Sequence, residues 1–228
     1  MKVLLVTATA QEVQPLHQYL SAHAAVIEDR PPHKFSFGNL EITWLITGVG
    51  LTFTAFHLGQ QLMKESFDMA INAGIAGAFP DASLVIGEVV EVKKAFFADL
   101  GAETAEGGFL NVFELGLING NDFPFKSFWL ENSGKVKSNL KLVNEVSVNK
   151  VNGSDASIIA LRQRLDADIE TMEGAAFFYA CLQHGLPFME IRAISNFVEP
   201  RNRDAWNIPL AVNELNKYLI NWIVNISG

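Results

Sequence analysis

The sequence predicts an α/β fold: a single-domain three-layer sandwich in which a mixed central sheet is flanked by helices. Short apolar runs rich in Val, Ile and Leu alternate with segments whose apolar residues recur at helical spacing. Hydrophobic residues make up 49% of the 228 and charged residues 18%, enough apolar material for a large core and incompatible with wholesale disorder. No repeat, low-complexity segment or linker divides the chain, so residues 1–228 read as one domain.

The elements follow in order. Lys2–Thr7 encloses Val3-Leu4-Leu5-Val6, the pattern of a strand buried on both faces. With Lys2 before it and Ala8-Thr9-Ala10 after it, the run imitates a secretion signal. It is too short for one, and Gln11-Glu12 follows at once. Val13, Leu16 and Leu20 then recur at helical spacing, with Glu12 in or just before the first turn. Pro31-Pro32 breaks the chain; Lys34–Phe37 and Leu40–Thr47 form a hairpin turned at Gly38-Asn39. Gly48 and Gly50 open a helix over Thr52–Lys64. Asp68–Asn72 is a strand ending in Gly74-Ile75-Ala76-Gly77-Ala78, and Leu84–Val92 is another. From Ala98 to about Lys135 the chain is rich in Gly and Phe, and its pattern assigns no element. Beyond it, a strand at Leu142–Val151, a helix at Asp155–Arg164 and a helix at Met172–His184 are expected, the last stopped by Gly185 and Pro187. A strand at Phe188–Ser195, a polar loop at Asn196–Asn207 and a helix at Ala211–Val224 complete the chain.

Composition narrows the function classes. The 17 basic residues against 25 acidic ones give a net charge of −8. The nearest approach to a basic run is the sparse lysines between Lys135 and Lys141, which argues against a nucleic-acid partner. One cysteine, Cys181, excludes an intramolecular disulfide framework and a multi-cysteine zinc site. His17, His23, His33, His57 and His184 show no HxH or HExxH spacing that would support a catalytic metal. No stretch approaches the apolar length of a membrane span. The expectation is a cytoplasmic, metal-free and cofactor-free protein.

In such folds ligands collect at the carboxyl ends of strands. Here those ends carry Thr7–Glu12, Thr47–Gly50, Asn72–Gly77 and Arg192–Asn196. The glycine pairs let a backbone approach a ligand, or simply make tight turns. Neither is a Walker motif or GxGxxG, so a dinucleotide cofactor is not supported. Glu12 either complements a helix dipole or acts chemically. Glu173, at the entry of an otherwise apolar helix and beside Gly174-Ala175-Ala176, is harder to assign to capping. Arg192, inside an apolar strand, needs a partner: Glu170, Glu173 or Glu190 for a structural pair, or a ligand.

As a set, Thr7–Val13, Thr47–Gly50, Asn72–Ala78, Thr171–Ala176 and Arg192–Asn196 resemble the nucleoside phosphorylase/hydrolase superfamily. The resemblance is closer to the purine nucleosidases that cleave methylthioadenosine, S-adenosylhomocysteine and futalosine. Glu170–Ala176 and Arg192–Pro200 look most like futalosine hydrolases of the alternative menaquinone pathway. The resemblance implies that Glu12 deprotonates the attacking water and that Met172 packs on the ribose face. It further implies that Glu173 accepts the ribose hydroxyl protons and that Arg192 lies near water and sugar. Ser195 and Asn196 would face the N7 edge of the purine, and Gly74 would let the base come close. N-ribosidic cleavage passes through a cationic ribose, which flanking carboxylates stabilise, and needs neither metal nor cofactor.

Three positions depart from the pattern. Adenine-releasing relatives carry aspartic acid where this chain has Asn196. An amide donates to the N7 and O6 acceptors of a 6-oxopurine, tilting the expectation toward hypoxanthine and futalosine, although amides also bind adenine edges. Lys150 stands where relatives stack a phenylalanine on the base, leaving another aromatic for that task. Ile75 replaces a serine near the water. The benzoate of futalosine would call for a cation, with Arg201, Arg203 and Lys94 as candidates. Alternatives are an adenine-releasing nucleosidase, a phosphorylase (disfavoured because no Arg lies between Arg30 and Arg162) and a non-catalytic nucleoside-binding domain. A homodimer or larger homo-oligomer is implied by the resemblance alone.

Overall fold

The computed structural model describes residues 1–132, 134, 136 and 138–228. Strand β1 (Lys2–Thr7) is followed by a 3-10 turn at Gln11–Val13 and helix α1 (Gln14–His23). Strands β2 (Ala25–Glu28), β3 (His33–Phe37) and β4 (Leu40–Ile46) form an antiparallel meander leading to helix α2 (Leu51–Lys64). Long strands β5 (Met69–Ala78) and β6 (Val89–Phe97) come next. Four short strands follow, β7 (Gly101–Glu103), β8 (Phe109–Asn111), β9 (Phe125–Lys126) and β10 (Trp129–Glu131). The remainder comprises β11 (Lys141–Ser147), α3 (Asp155–Arg164), β12 (Ile169–Thr171), α4 (Gly174–Gln183), β13 (Phe188–Phe197) and α5 (Ile208–Ile226).

The sheet is mixed, in the order β2-β3-β4-β1-β5-β12-β11-β6-β10-β9, and β13 pairs with both β5 and β6. Following β5, β12, β11, β6 and β13 therefore returns to β5, so the centre of the sheet closes on itself. Helices α2 and α4 cover one face, where Leu58, Phe177 and Phe178 pack with Leu4, Val6 and Phe188. Helices α1 and α5 cover the other, where Leu16, Leu20 and Leu219 pack with Val3, Leu5 and Ile191. Consecutive residues of β1 thus serve opposite layers, which is why the strand is apolar without alternation.

Several boundaries differ from the sequence expectation for identifiable reasons. Strand β5 continues through Gly74 and Gly77 to Ala78 because β13 pairs with it along the whole length. The strand expected from Leu84 starts at Val89. Ahead of it lies a turn in which Gly87 takes φ +88° and donates its N–H to Ile194 O. The strand expected to reach Val151 ends at Ser147, after which Asn149 N binds Asp99 and Asn152 N binds Glu170. The helix expected from Met172 starts at Gly174, since Thr171 pairs with Ser147 in the sheet. Met172 and Glu173 therefore occupy a strand-to-helix junction. Helix α5 starts earlier than expected, at Ile208, because Asn207 Oδ1 accepts from Leu210 N at 3.1 Å. Of the lysines in the sparse basic stretch, Lys135 and Lys137 lie outside the described residues. Among the described residues no helix is long and apolar enough to cross a membrane.

Phe188 joins β13 to α4, with its ring 4.7 Å from Phe178 and 5.5 Å from Phe177. Phe188→Ala is expected to lower unfolding free energy by about 3–5 kcal/mol, measured by urea denaturation. A loss below about 1 kcal/mol would show that this seam is not a principal packing contact.

Candidate active site

The carboxyl ends of β1, β5 and β13, the β4–α2 turn and the β12–α4 junction enclose a cavity of about 450 Å³. Its wall includes Glu12, Met172, Glu173, Ser195, Asn196 and Gly77. A second cavity of about 520 Å³ lies between α2 and α4, lined by residues such as Leu51, Phe97 and Tyr179; no paired acids converge there.

Glu12 sits on the 3-10 turn directly after β1. Its Oε2 accepts from Thr9 N at 2.9 Å and Thr9 Oγ1 at 3.1 Å, and its Oε1 from Ile75 N at 3.3 Å. Asn216 on α5 secures the turn, donating to Glu12 O at 2.8 Å while accepting from Leu16 N at 2.9 Å. The carboxylate is thereby aimed while remaining half-buried on the cavity wall.

Glu173 Oε1 accepts from Gly50 N at 3.0 Å, a contact made possible by the Gly50 φ of +101°, and its Oε2 lies 3.9 Å from Arg192 Nη2. Burial raises the Glu173 carboxyl above its ordinary value, with Arg192 and the Gly50 N–H acting in the opposite direction. Arg192 is fully buried, and its Nε donates to Glu190 Oε1 at 2.7 Å. Burial opposes its charge, but Glu190, Glu173, Glu145 and Glu12 together raise its pKa, so it stays cationic. Nη2 has no hydrogen-bond acceptor among the described residues.

Behind this pair lies Glu145, wholly buried, with Oε1 accepting from Ser147 Oγ at 2.9 Å. Ser147 Oγ in turn accepts from Ala175 N at 2.8 Å, tying the acid to the start of α4. A Cβ at Gly174 would overlap the Glu145 carboxyl, so the helix can begin there only on glycine. Burial first, and the Glu190 charge second, push Glu145 well above the ordinary carboxylate range. Glu145 Oε2 and Glu190 Oε2 both lack a donor among the described residues, and a proton on Glu145 supplies one.

At the opposite end, Ser195 Oγ donates to Asn196 Oδ1 at 2.7 Å, its alternative acceptor Ala76 O being 3.2 Å away. Asn196 Nδ2 donates to Phe197 O at 2.9 Å, which leaves its second N–H free. A Cβ at Gly77 would stand 3.0 Å from Val198 Cγ2 and 3.1 Å from Asn196 Nδ2, so those two side chains occupy the space over that glycine. Glu170, Val151 and Trp206 line the same end.

Of the residues singled out from sequence, Glu12, Met172, Glu173, Ser195 and Asn196 line one cavity. Gly74 and Arg192 lie behind its wall. A Cβ at Gly74 would overlap Arg192 Nη1 and stand 2.7 Å from Glu12 Oε1, so the missing side chain admits those two groups and not a base. Gly77 is the glycine in the cavity wall, with Val198 and Asn196 packed over it. Of the cations considered for a carboxylate, Arg201 lies on the Asn196 side, its guanidinium 5.3 Å from the Trp206 ring. Arg203 also faces Trp206, at 5.9 Å, whereas Lys94 packs over Trp129 at 4.1 Å, away from the cavity. Lys150 lines a separate depression with Ala98 and Phe109. Sequence reasoning missed Trp206, which lies in an aperiodic loop, and did not place Glu170; an acid next to apolar Ile169 in a short strand was the available signal. It also gave no sign that His17, Asp29 and His33 converge, with potential ligand atoms within 4.8 Å of one another, because they come from separate segments.

The raised Glu145 carboxyl has a consequence for stability. Its favourable contribution is complete below the ordinary carboxylate range and is lost as pH rises through its higher folded value. Glu145→Gln, which mimics the protonated acid, should raise Tm over the parent by an amount that grows from about pH 5 to about pH 9. A Tm difference that is flat across that range would exclude a protonated Glu145.

The model of the phosphorylase superfamily matches residues 2–222. A futalosine hydrolase of Streptomyces coelicolor is 35% identical over 65% of this chain, a stretch spanning 62% of that relative. A futalosine hydrolase of Acidothermus cellulolyticus is 31% identical over 94% of this chain and 87% of its own length. The crystal structure of Helicobacter pylori 5'-methylthioadenosine/S-adenosylhomocysteine nucleosidase superposes with a TM-score of 0.79, covering 99% of this chain and 98% of that one at 17% identity. That likeness concerns the fold. With a family match across nearly its whole length, the chain belongs to the phosphorylase superfamily.

Proposed function

We propose that the chain hydrolyses the N-ribosidic bond of futalosine, releasing hypoxanthine and dehypoxanthine futalosine in the futalosine route to menaquinone. The observation that carries this reading is the polarity of the cavity: a backbone-anchored carboxylate, Glu12, at one end and an amide offering a free N–H, Asn196, at the other. Futalosine hydrolases among the relatives, at 31% and 35% identity, support the same substrate.

The chemistry follows from charge. As the bond to the base lengthens, the ribose becomes cationic and the purine anionic. Glu173 beside Met172 receives the ribose hydroxyls and stabilises the cationic sugar. Glu12 takes a proton from the water that attacks the anomeric carbon. Asn196 donates to the purine at N7 and O6. Asn196 Nδ2 keeps one N–H for the base edge while Ser195 donates to its Oδ1, and that N–H suits the N7 and O6 acceptors of a 6-oxopurine. Arg192 acts from behind the wall, holding Glu173 and the Glu12 side of Gly74 in place. Water is preferred to phosphate because no arginine lies between Arg30 and Arg162, so the turn at Gly48–Gly50 carries none.

The reading takes residues 1–228 as one cytoplasmic nucleosidase unit that associates with a second copy. Exposed Phe53, Phe56 and Met63 on α2 and Tyr179 on α4 supply an apolar surface for that association.

Glu12→Gln should reduce hydrolysis by about 10²–10⁴-fold while leaving binding intact, assayed as free hypoxanthine released from futalosine without phosphate. Turnover within about threefold of the parent would remove Glu12 from the base role. Asn196→Asp should shift preference toward 6-aminopurine nucleosides, read as the ratio of adenine released from aminodeoxyfutalosine to hypoxanthine released from futalosine; an unchanged ratio would refute the amide's role.

A further inference from the structure

Three metal-ligating side chains from separate segments meet toward the β2 edge of the sheet. His17 stands on α1, Asp29 lies in the turn between β2 and β3, and His33 opens β3. One potential ligand atom from each lies within 4.8 Å of those of the other two. None of the three residues lines the cavity that holds Glu12, and the roles proposed for that cavity leave them unused.

The packing holds both imidazoles. Their ring centroids are 5.1 Å apart, and the Trp44 ring lies 5.1 Å from His17 and 4.9 Å from His33. Phe35 meets His17 edge-on at 5.8 Å. Trp44 is itself fixed: it sits in register with His33 across β3 and β4, and its Nε1 donates to Thr7 Oγ1 at 2.9 Å. Within this aromatic cluster His17 Nε2 and His33 Nδ1 are buried and have no hydrogen-bond partner among the described residues. A buried polar nitrogen without a partner is destabilising, and here two of them come from adjoining rings. Apolar rings would pack on Trp44 without that cost, so packing alone does not account for a pair of histidines.

A metal ion does account for them. It takes lone pairs from neutral imidazole nitrogens and balances the charge of a carboxylate. Imidazole donors select a zinc-like transition ion over calcium or magnesium, which bind through oxygen. Metal–ligand distances of about 2.0–2.2 Å place tetrahedral donors about 3.4 Å apart. Spacings up to 4.8 Å therefore call for a small inward movement, which Asp29, exposed in its turn, has room to make. Three protein ligands leave one tetrahedral position for water.

We propose that His17, Asp29 and His33 form a binding site for one divalent transition ion of the zinc class, which clips α1 to the β2–β3 hairpin. The clip acts where β2, the edge strand, is exposed along its whole length. Binding favours the folded state, because the unfolded chain does not hold the three ligands together. The inference is independent of the nucleosidase reading. It revises the metal-free expectation, which rested on ligand spacing along the sequence, whereas these ligands converge only in space.

The test uses the untagged full chain, stripped with a chelator and titrated with Zn²⁺ by calorimetry, with Co²⁺ as a spectroscopic stand-in. One equivalent of Zn²⁺ should bind, Tm should rise with the logarithm of free Zn²⁺, and Co²⁺ should give the visible absorption of a four-coordinate site. His33→Gln should weaken Zn²⁺ binding by about 100-fold or more and abolish the Tm response, and Asp29→Asn should weaken it by about 10-fold. Affinity and Tm response unchanged in both variants would overturn the site, since the ion would then be held elsewhere. Failure of the parent to bind one equivalent would overturn it too. If His33→Gln does not fold, ¹⁵N NMR of the parent's histidine rings decides. Zn²⁺-induced shifts at His17 and His33 together support the site, and shifts confined to His23, His57 or His184 overturn it.

Discussion

A fully buried arginine organises this protein. The Arg192 guanidinium cannot leave water without a counter-charge, and Glu190, two residues away on the same strand face, provides one at 2.7 Å. The rest of the site is arranged around that pair. Gly74 has no side chain because Nη1 occupies the space, Glu173 is drawn within 3.9 Å of Nη2, and Glu145, on β11 against Gly174, backs Glu190. Removing one charge from such a cluster would leave the others unbalanced in a low-dielectric interior, which makes the network a framework more than a source of net stability.

That framework explains how acids at one end of a cavity can be both buried and usable. Four glutamates around one guanidinium would carry excess negative charge if all were ionised. Burial and the Glu190 charge favour the neutral form of Glu145 away from the cavity, while Glu173 and Glu12 are the groups that face it. The backbone contributes as well: N–H groups of Gly50, Thr9 and Ile75 orient the two cavity-facing carboxylates without using flexible side chains. The site is consequently set by strand ends and turns whose positions the sheet dictates, as preorganised charge stabilisation requires.

The closed path of strands through β5 has its own consequence. Because β5 pairs with β12 on one side and β13 on the other, a single glycine on it is flanked by residues from two distant parts of the chain. Another part of the cavity wall, by contrast, is assembled from the β12–α4 junction and the β4–α2 turn, where Glu173 and Gly50 meet. Strand register and element junctions are thus two different structural devices building one cavity.

Much of this was legible in the residues themselves. Buried strands announce themselves as unbroken apolar runs and helices as 3.6-residue periodicity; Glu12 stood out at a helix start just after a strand, and Glu173 beside Gly174 at the entry of an apolar helix. The helix at Asp155–Arg164 and the hairpin around Gly38-Asn39 needed only local information, since capping and turn chemistry act over a few residues. What the chain could not disclose was adjacency. Whether Gly74 faces a base or an arginine, whether Arg192 pairs with Glu190 or Glu173, and that Glu170 and Asn196 share one glycine all depend on strand register. Register is decided by the packing of both sheet faces at once, and a shift of one residue would send every side chain to the opposite layer.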